Sequence, residues 1–212
     1  MNSTINDQEL FKSAAGINIS YIKSFYHFIN NELQIKEDEL NQAIDTFHGS
    51  GEEKIELTVE RDVYSKTFKR NLMSVTFLLL YSHLEEWLYL IWKYFDKTIP
   101  LAGNRGSISR FKPILQQIMQ FDLSQDTDWQ FILEAEKIRN CLLHANARID
   151  LSKDSSSLKK LLTKYSEDLF ENNSRLILRP TFLDKFFTCI HNIIKEVPMS
   201  RPFINETGIP SK

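Results

Sequence analysis

Arg139, Asn140 and His144 are the residues of this chain whose types and spacing best suit chemistry. An imidazole can take or give a proton at physiological pH. A guanidinium stays charged and offers a planar fork of donors, which suits phosphate oxygens on which negative charge builds. The three lie in Lys137-Ile138-Arg139-Asn140-Cys141-Leu142-Leu143-His144-Ala145-Asn146. At about 100° per residue, Ala135, Ile138, Leu142, Leu143 and Ile132 form one apolar arc, and Arg139 falls inside it. Asn140 and His144 stand one turn apart on the neighbouring polar edge. Arginine is almost never buried without a partner, so Arg139 needs a carboxylate, and Glu85 and Glu136 are the candidates. The stretch predicts a guanidinium in a semi-buried seam and an imidazole at its rim.

The elements that position these residues read as helices. Ile22, Phe25, Ile29, Leu33, Leu40, Ile44 and Phe47 recur at helical spacing and predict a long first helix over about 5–48, with a break near Gly16. Gly49-Ser50-Gly51 should end it. Ile55, Leu57 and Val59 alternate with polar residues, which suggests a short strand. From Thr67 to Lys97 runs the most apolar segment, with Leu72, Val75, Leu79, Trp87, Leu90, Ile91 and Tyr94, read as a central helix touched on several sides and closed by Pro100 and Gly103. Gly103 to Lys112 is a basic loop holding Arg105, Arg110 and Lys112 and no acid. A short helix over Ser109–Met119 follows. Asp126 or Asp128 should cap the helix that carries Arg139 and His144 to about Ala147, and Ser157 a small helix through Tyr165. Leu176-Ile177-Leu178 is a strand-like stub, expected to pair with Ile55 to Val59. Pro180 then sits in the first turn of a last helix to Val197, and 198–212 is a loose tail.

The chain has 212 residues, 42% of them hydrophobic and 25% charged, so one helical domain over 1–197 is expected. Six glycines and six prolines are too few for the frequent turns of a sandwich or barrel. A net charge of −2 excludes a strongly basic nucleic-acid binder, so any RNA contact must be a local patch. Cys141 and Cys189 lie in apolar helical context and read as buried free thiols in a reducing cytoplasm. His27, His48, His83 and His191 show no metal-ligand spacing, and His83 alone lies near the candidate site, so neither metal nor cofactor is expected. Asn71 to Leu84 carries no formal charge if His83 is neutral, but it is shorter than the ~20 apolar residues of a membrane span. No membrane association is expected.

Arg139-Asn140-Cys141-Leu142-Leu143-His144 resembles the Arg-x(4–6)-His signature of HEPN domains (higher eukaryote and prokaryote nucleotide-binding), in which a polar residue, often Asn, follows the Arg. Tyr81-Ser82-His83-Leu84-Glu85 is similar to a Tyr/Ser-rich stretch ending in a carboxylate in several such families. The likeness covers about 67–197. It implies an all-α helical bundle, usually dimeric, with the two motif helices facing each other. It also implies a metal-independent endoribonuclease of a toxin–antitoxin, phage-defence or CRISPR-associated system, whose partners would be RNA, a second copy, and an antitoxin or other defence protein. In the branch paired with a nucleotidyltransferase antitoxin the motif reads Arg-x4-His-x-Tyr. Asn146 stands at that Tyr position, so regulation by modifying a tyrosine there is not expected.

The resemblance assigns catalysis to Arg139 and His144 with help from Asn140, and support to Glu85 and Asn146. RNA carries its own nucleophile, the 2′-OH, so a base, an acid and a phosphate clamp suffice. Asn140 would orient His144 or bind the phosphate, Asn146 would be a helix cap or a site residue, and Arg105, Arg110 and Lys112 would be either RNA contacts or plain surface. A second reading keeps the fold without the chemistry: a non-catalytic module that binds RNA or a nucleotide, or scaffolds another protein.

Overall fold

Ser50 accepts a hydrogen bond from the Glu53 amide while the Glu53 carboxylate accepts from the Ser50 amide, a reciprocal pair that starts a helix rather than a strand. This helix, α2 (Gly51–Asp62), runs through a π-helical segment (Val63–Phe68) into α3 (Lys69–Phe95) without a break. The computed structural model describes residues 7–95, 100–101, 107–120 and 122–197. Arg105, Gly103 and the expected tail over 198–212 lie outside them.

Before α2 comes α1 (Asp7–Asp45), 39 residues of uninterrupted helix in which Gly16 causes no break. It ends before Gly49-Ser50-Gly51, and those residues begin α2 instead. The α1 and α3 helices pack antiparallel. Lys69 Nζ reaches Glu37 at 2.5 Å and Gln34 at 2.7 Å, while His83 Nε2 meets the Ala15 carbonyl at 3.3 Å at the other end.

After α3 follow a 3-10 turn (Ile108–Phe111), α4 (Lys112–Met119), a second 3-10 turn (Leu123–Gln125) and α5 (Thr127–His144). Asp126 caps α5 by accepting from the Trp129 amide at 2.6 Å. Next come α6 (Ser155–Lys164), a two-stranded hairpin and α7 (Pro180–Glu196), with Pro180 in the first turn as expected. The N-cap of α6 is Asp154, not Ser157. Strand β1 (Leu169–Asn172) pairs antiparallel with β2 (Arg175–Leu178), so Leu176-Ile177-Leu178 pairs with its sequence neighbour and not with Ile55 to Val59, which is helical. The protein is all-α apart from this hairpin.

The core is anchored by rings from three helices. Phe77 of α3 meets Phe186 of α7 at 4.9 Å and Phe182 at 5.4 Å, and Phe131 of α5 meets Phe182 at 5.4 Å. Tyr81 stacks on Phe186 and is itself buried. Cys141 and Cys189 are buried free thiols, and burial pushes both above the ordinary thiol range. Helix α3 is contacted by α1, α5, α7, β2 and the first 3-10 turn. It is not enclosed, however: Val75, Leu79 and Tyr89 are exposed. The helix is thus touched on several sides, as the apolar run led one to expect, while the side with Val75 and Leu79 stays open within the single chain. No helix among the described residues is long and apolar enough to cross a membrane.

Candidate functional site

Helix α5 buries different faces along its length. In its first turns Ile132 and Ala135 point into the core. By its last turns Ile138, Cys141 and Ala145 do so, and Leu143 is 48% exposed. The apolar arc expected from the sequence therefore does not stay buried: Leu143 is outside it, and Arg139 sits at the boundary. The guanidinium of Arg139 is held from three sides. Its Nη2 lies 3.7 Å from Glu85 Oε2 on α3, its Nη1 donates to Asn140 Oδ1 at 3.1 Å, and its carbon lies 5.7 Å from the centre of the Tyr81 ring. Tyr81 belongs to the buried ring cluster, so the arginine rests against the core.

Of the two candidate carboxylates, Glu85 is the partner. Glu136 instead accepts from Ser107 Oγ at 3.0 Å and the Ile108 amide at 3.2 Å, tying α5 to the first 3-10 turn. Burial raises the pKa of Glu85 above the usual carboxylate range; Arg139 and Arg110 oppose that rise and Glu136 adds to it. Burial also pushes the Tyr81 hydroxyl upward, with Glu136 and Glu85 adding to the rise and Arg139 opposing it.

Arg139, Asn140 and His144 line one cavity of about 570 Å³, together with Ser107, Glu136 and Lys153. His144, in the last turn of α5, is exposed and makes no hydrogen bond among the described residues. Asn140 bonds Arg139 rather than His144, so it positions the guanidinium. Asn146 is apart from this group. It adopts φ 48° just past the end of α5, where a left-handed residue closes a helix, and it lines a different cavity. That is the cap reading of Asn146. His83 turns to α1 and lies outside the site.

Of the three basic residues expected to meet RNA, Arg110 lies over the Phe111 ring at 4.7 Å, near enough to Glu85 to lower its pKa. Lys112 donates to Ser124 Oγ at 2.5 Å, which ties α4 to the second 3-10 turn. Arg105 lies outside the described residues. Sequence reasoning missed Lys153, which lines the cavity from the loop before α6, and Tyr81 as a support for Arg139. The signal for Lys153 was its place in the polar loop that closely follows the motif helix. Among the described residues, no three His, Cys, Asp or Glu side chains converge to hold a metal ion.

The fold and the site define the class of protein only as all-α with a cavity of mixed charge, in which Arg139, Lys153 and His144 stand beside Glu136 and Asp154. Comparison with family models, curated proteins and solved structures found no match. The functional reading rests on the residues and their geometry.

Proposed function

We propose that this protein is a metal-independent endoribonuclease of HEPN type, which works as a homodimer in a toxin or anti-phage defence system. One observation carries the reading: Arg139 and His144 open into the same cavity, with the guanidinium held by Glu85, Asn140 and Tyr81 and the imidazole uncommitted. The pair supplies the two functions that cleavage by the 2′-OH requires. His144 of one copy takes the 2′-OH proton, and the freed oxygen attacks the adjacent phosphorus. Arg139 neutralises the charge that builds on the non-bridging oxygens. The bond to the 5′ oxygen breaks, and that oxygen takes a proton from the second copy of His144. The products are a 2′,3′-cyclic phosphate and a free 5′-OH. A dimer supplies the base and the acid together, so one imidazole need not be both in one step.

The uncovered side of α5 supports the second copy. Leu143 stands between Arg139 and His144 in sequence and is exposed, and Val75 and Leu79 of α3 are exposed beside Leu78, which shares a cavity with Leu142. An apolar strip next to a catalytic pair is best covered by another protein surface.

The test uses the purified protein with a single-stranded RNA in EDTA. Cleavage should persist and leave a 2′,3′-cyclic phosphate, and a substrate with 2′-deoxy at the scissile position should be inert. His144→Ala should abolish turnover with its melting curve unchanged. If His144→Ala cleaves as well as the parent, or DNA is cut equally well, the mechanism is wrong.

A further inference from the structure

A second cavity, of about 400 Å³, lies on the other side of the turn that ends α5. Its wall includes two arginines, Arg70 from the first turn of α3 and Arg175 from the start of β2, along with Asn71, Ser74 and Asn146. No acidic residue lines it, and among the described residues neither arginine has a carboxylate within ion-pair distance. By contrast Arg148, the bridge partner of Arg175, holds Asp150 at 2.6 Å. Two half-buried cations sharing a cavity without a counter-charge repel each other, and a phosphate between them would relieve this.

Arg175 is also held in place. Arg175 Nη1 donates to the Asn146 carbonyl at 2.7 Å. The Leu176 amide bonds the Ala147 carbonyl at 2.8 Å, and the Ile149 amide bonds the Ser174 carbonyl at 2.9 Å. These bonds fasten the start of β2 to the left-handed pair Asn146 and Ala147, at φ 48° and 62°. Arg175 is therefore fixed to the segment that directly follows His144. Ala145 lines the first cavity and Asn146 the second, so the two cavities flank one helix end.

We infer that Arg70 and Arg175 form a phosphate-binding subsite, occupied by the phosphodiester of a single strand next to the one at Arg139 and His144. The inference rests on the proposed cleavage for the identity of the strand, but the subsite itself stands on the cavity and its charges. A free nucleotide carries the same phosphate chemistry, and the experiment separates the two sources.

The experiment measures binding of the full-length protein to a fluorescent 2′-O-methyl oligoribonucleotide, which cannot be cleaved, over a range of salt. Arg70→Gln and Arg175→Gln should each weaken binding about tenfold and lower the salt slope by about 0.7, the change for one phosphate contact on a single strand. Because Arg175→Gln removes a bond to the turn, Arg175→Lys is measured beside it, and circular dichroism checks that every variant folds. Arg175→Lys should keep the salt slope and lose part of the affinity, since the charge stays while the fork is lost. Unchanged affinity and slope in a folded Arg70→Gln overturns the subsite. Adenosine monophosphate, added as a competitor, distinguishes the sources. Displacement of the oligonucleotide only by other strands supports the backbone phosphate. Saturable nucleotide binding that is lost in Arg70→Gln supports the phosphate site but overturns its assignment to a strand. Normal cleavage by His144→Ala with weakened binding by the arginine variants would sink the ribonuclease reading and leave the subsite standing.

Discussion

The Arg139–Glu85 pair sits at the boundary between core and solvent, with the two side chains 24% and 25% exposed. Its strength should lie between that of a surface pair and that of a fully buried one. Arg139→Ala leaves Glu85 with a diminished counter-charge, and the expected loss is about 1–3 kcal/mol. The pH dependence identifies the cause. Burial raises the pKa of Glu85 in the folded state, so ionising it costs stability. That cost is absent below the unfolded carboxylate pKa and fully present above the folded one. Removing Arg139 takes away an interaction that lowers the Glu85 pKa, so the cost should grow. Thermal melts of parent and Arg139→Ala between pH 4 and pH 8 should therefore diverge as pH rises through the carboxylate range. Parallel curves would mean that Glu85 is not the partner that matters. Arg139→Lys should recover part of the stability but none of the turnover, because a point charge balances Glu85 without presenting a fork to the phosphate.

At the scale of elements, Gly16 is the simplest case. It lies within α1, and a Cβ built there meets nothing within 4 Å. Gly16→Ala should stabilise the protein by about 0.5–1 kcal/mol through the chain entropy of glycine, seen as a melting temperature a few degrees higher. A lower melting temperature would show that α1 needs the flexibility. Ser50→Ala removes the reciprocal cap of α2 and should cost about 1 kcal/mol, read from faster amide exchange at Glu53 and Lys54. That cap was legible in the sequence as Ser50-Gly51-Glu52-Glu53, yet the alternation of Ile55, Leu57 and Val59 pointed to a strand. Alternation signals a strand only when one face is buried, and α2 buries none of its residues; Ile55 is 64% exposed. The pairing of β2 was misjudged for a related reason. Asn173 and Ser174 at φ 49° and 60° make the tight turn of a local hairpin, and the Asn-Asn-Ser run before Arg175 carried that signal. Helix α7 was readable because its apolar periodicity and the proline in its first turn agree, and α5 because a capping aspartate precedes it, although its buried face drifts along its length. The Arg139–Glu85 pair was readable on the same terms, as a charge on a mostly apolar stretch that needed a partner. The cavity of Arg70 and Arg175 was not, because their juxtaposition depends on how β2 folds back on the turn after α5.

At the scale of the whole molecule, two groups of exposed apolar side chains among the described residues bear on assembly. One is the side of α3 and α5 with Val75, Leu79 and Leu143. The other is the outer stripe of α1 with Ile17, Tyr21, Phe25, Phe28 and Ile35. The proposed mechanism assigns the dimer interface to the first, because the exposed Leu143 directly precedes His144 and a second His144 must come close to the first. Light scattering at micromolar concentration should give about twice 24.9 kDa for the parent. Leu143→Asp places a charge in the interface and should yield a folded monomer without cleavage activity, since an unpaired charge there disfavours association strongly. Phe28→Ser, on the α1 stripe, should leave both mass and activity unchanged. His144→Ala should remain dimeric. If both copies of His144 are needed, an excess of His144→Ala should suppress the parent after subunit exchange, because most parent chains would then sit in mixed dimers. A monomeric parent that cleaves RNA at full rate, or one unaffected by excess His144→Ala, would place the base and the acid within a single chain, and the shared site would have to be abandoned.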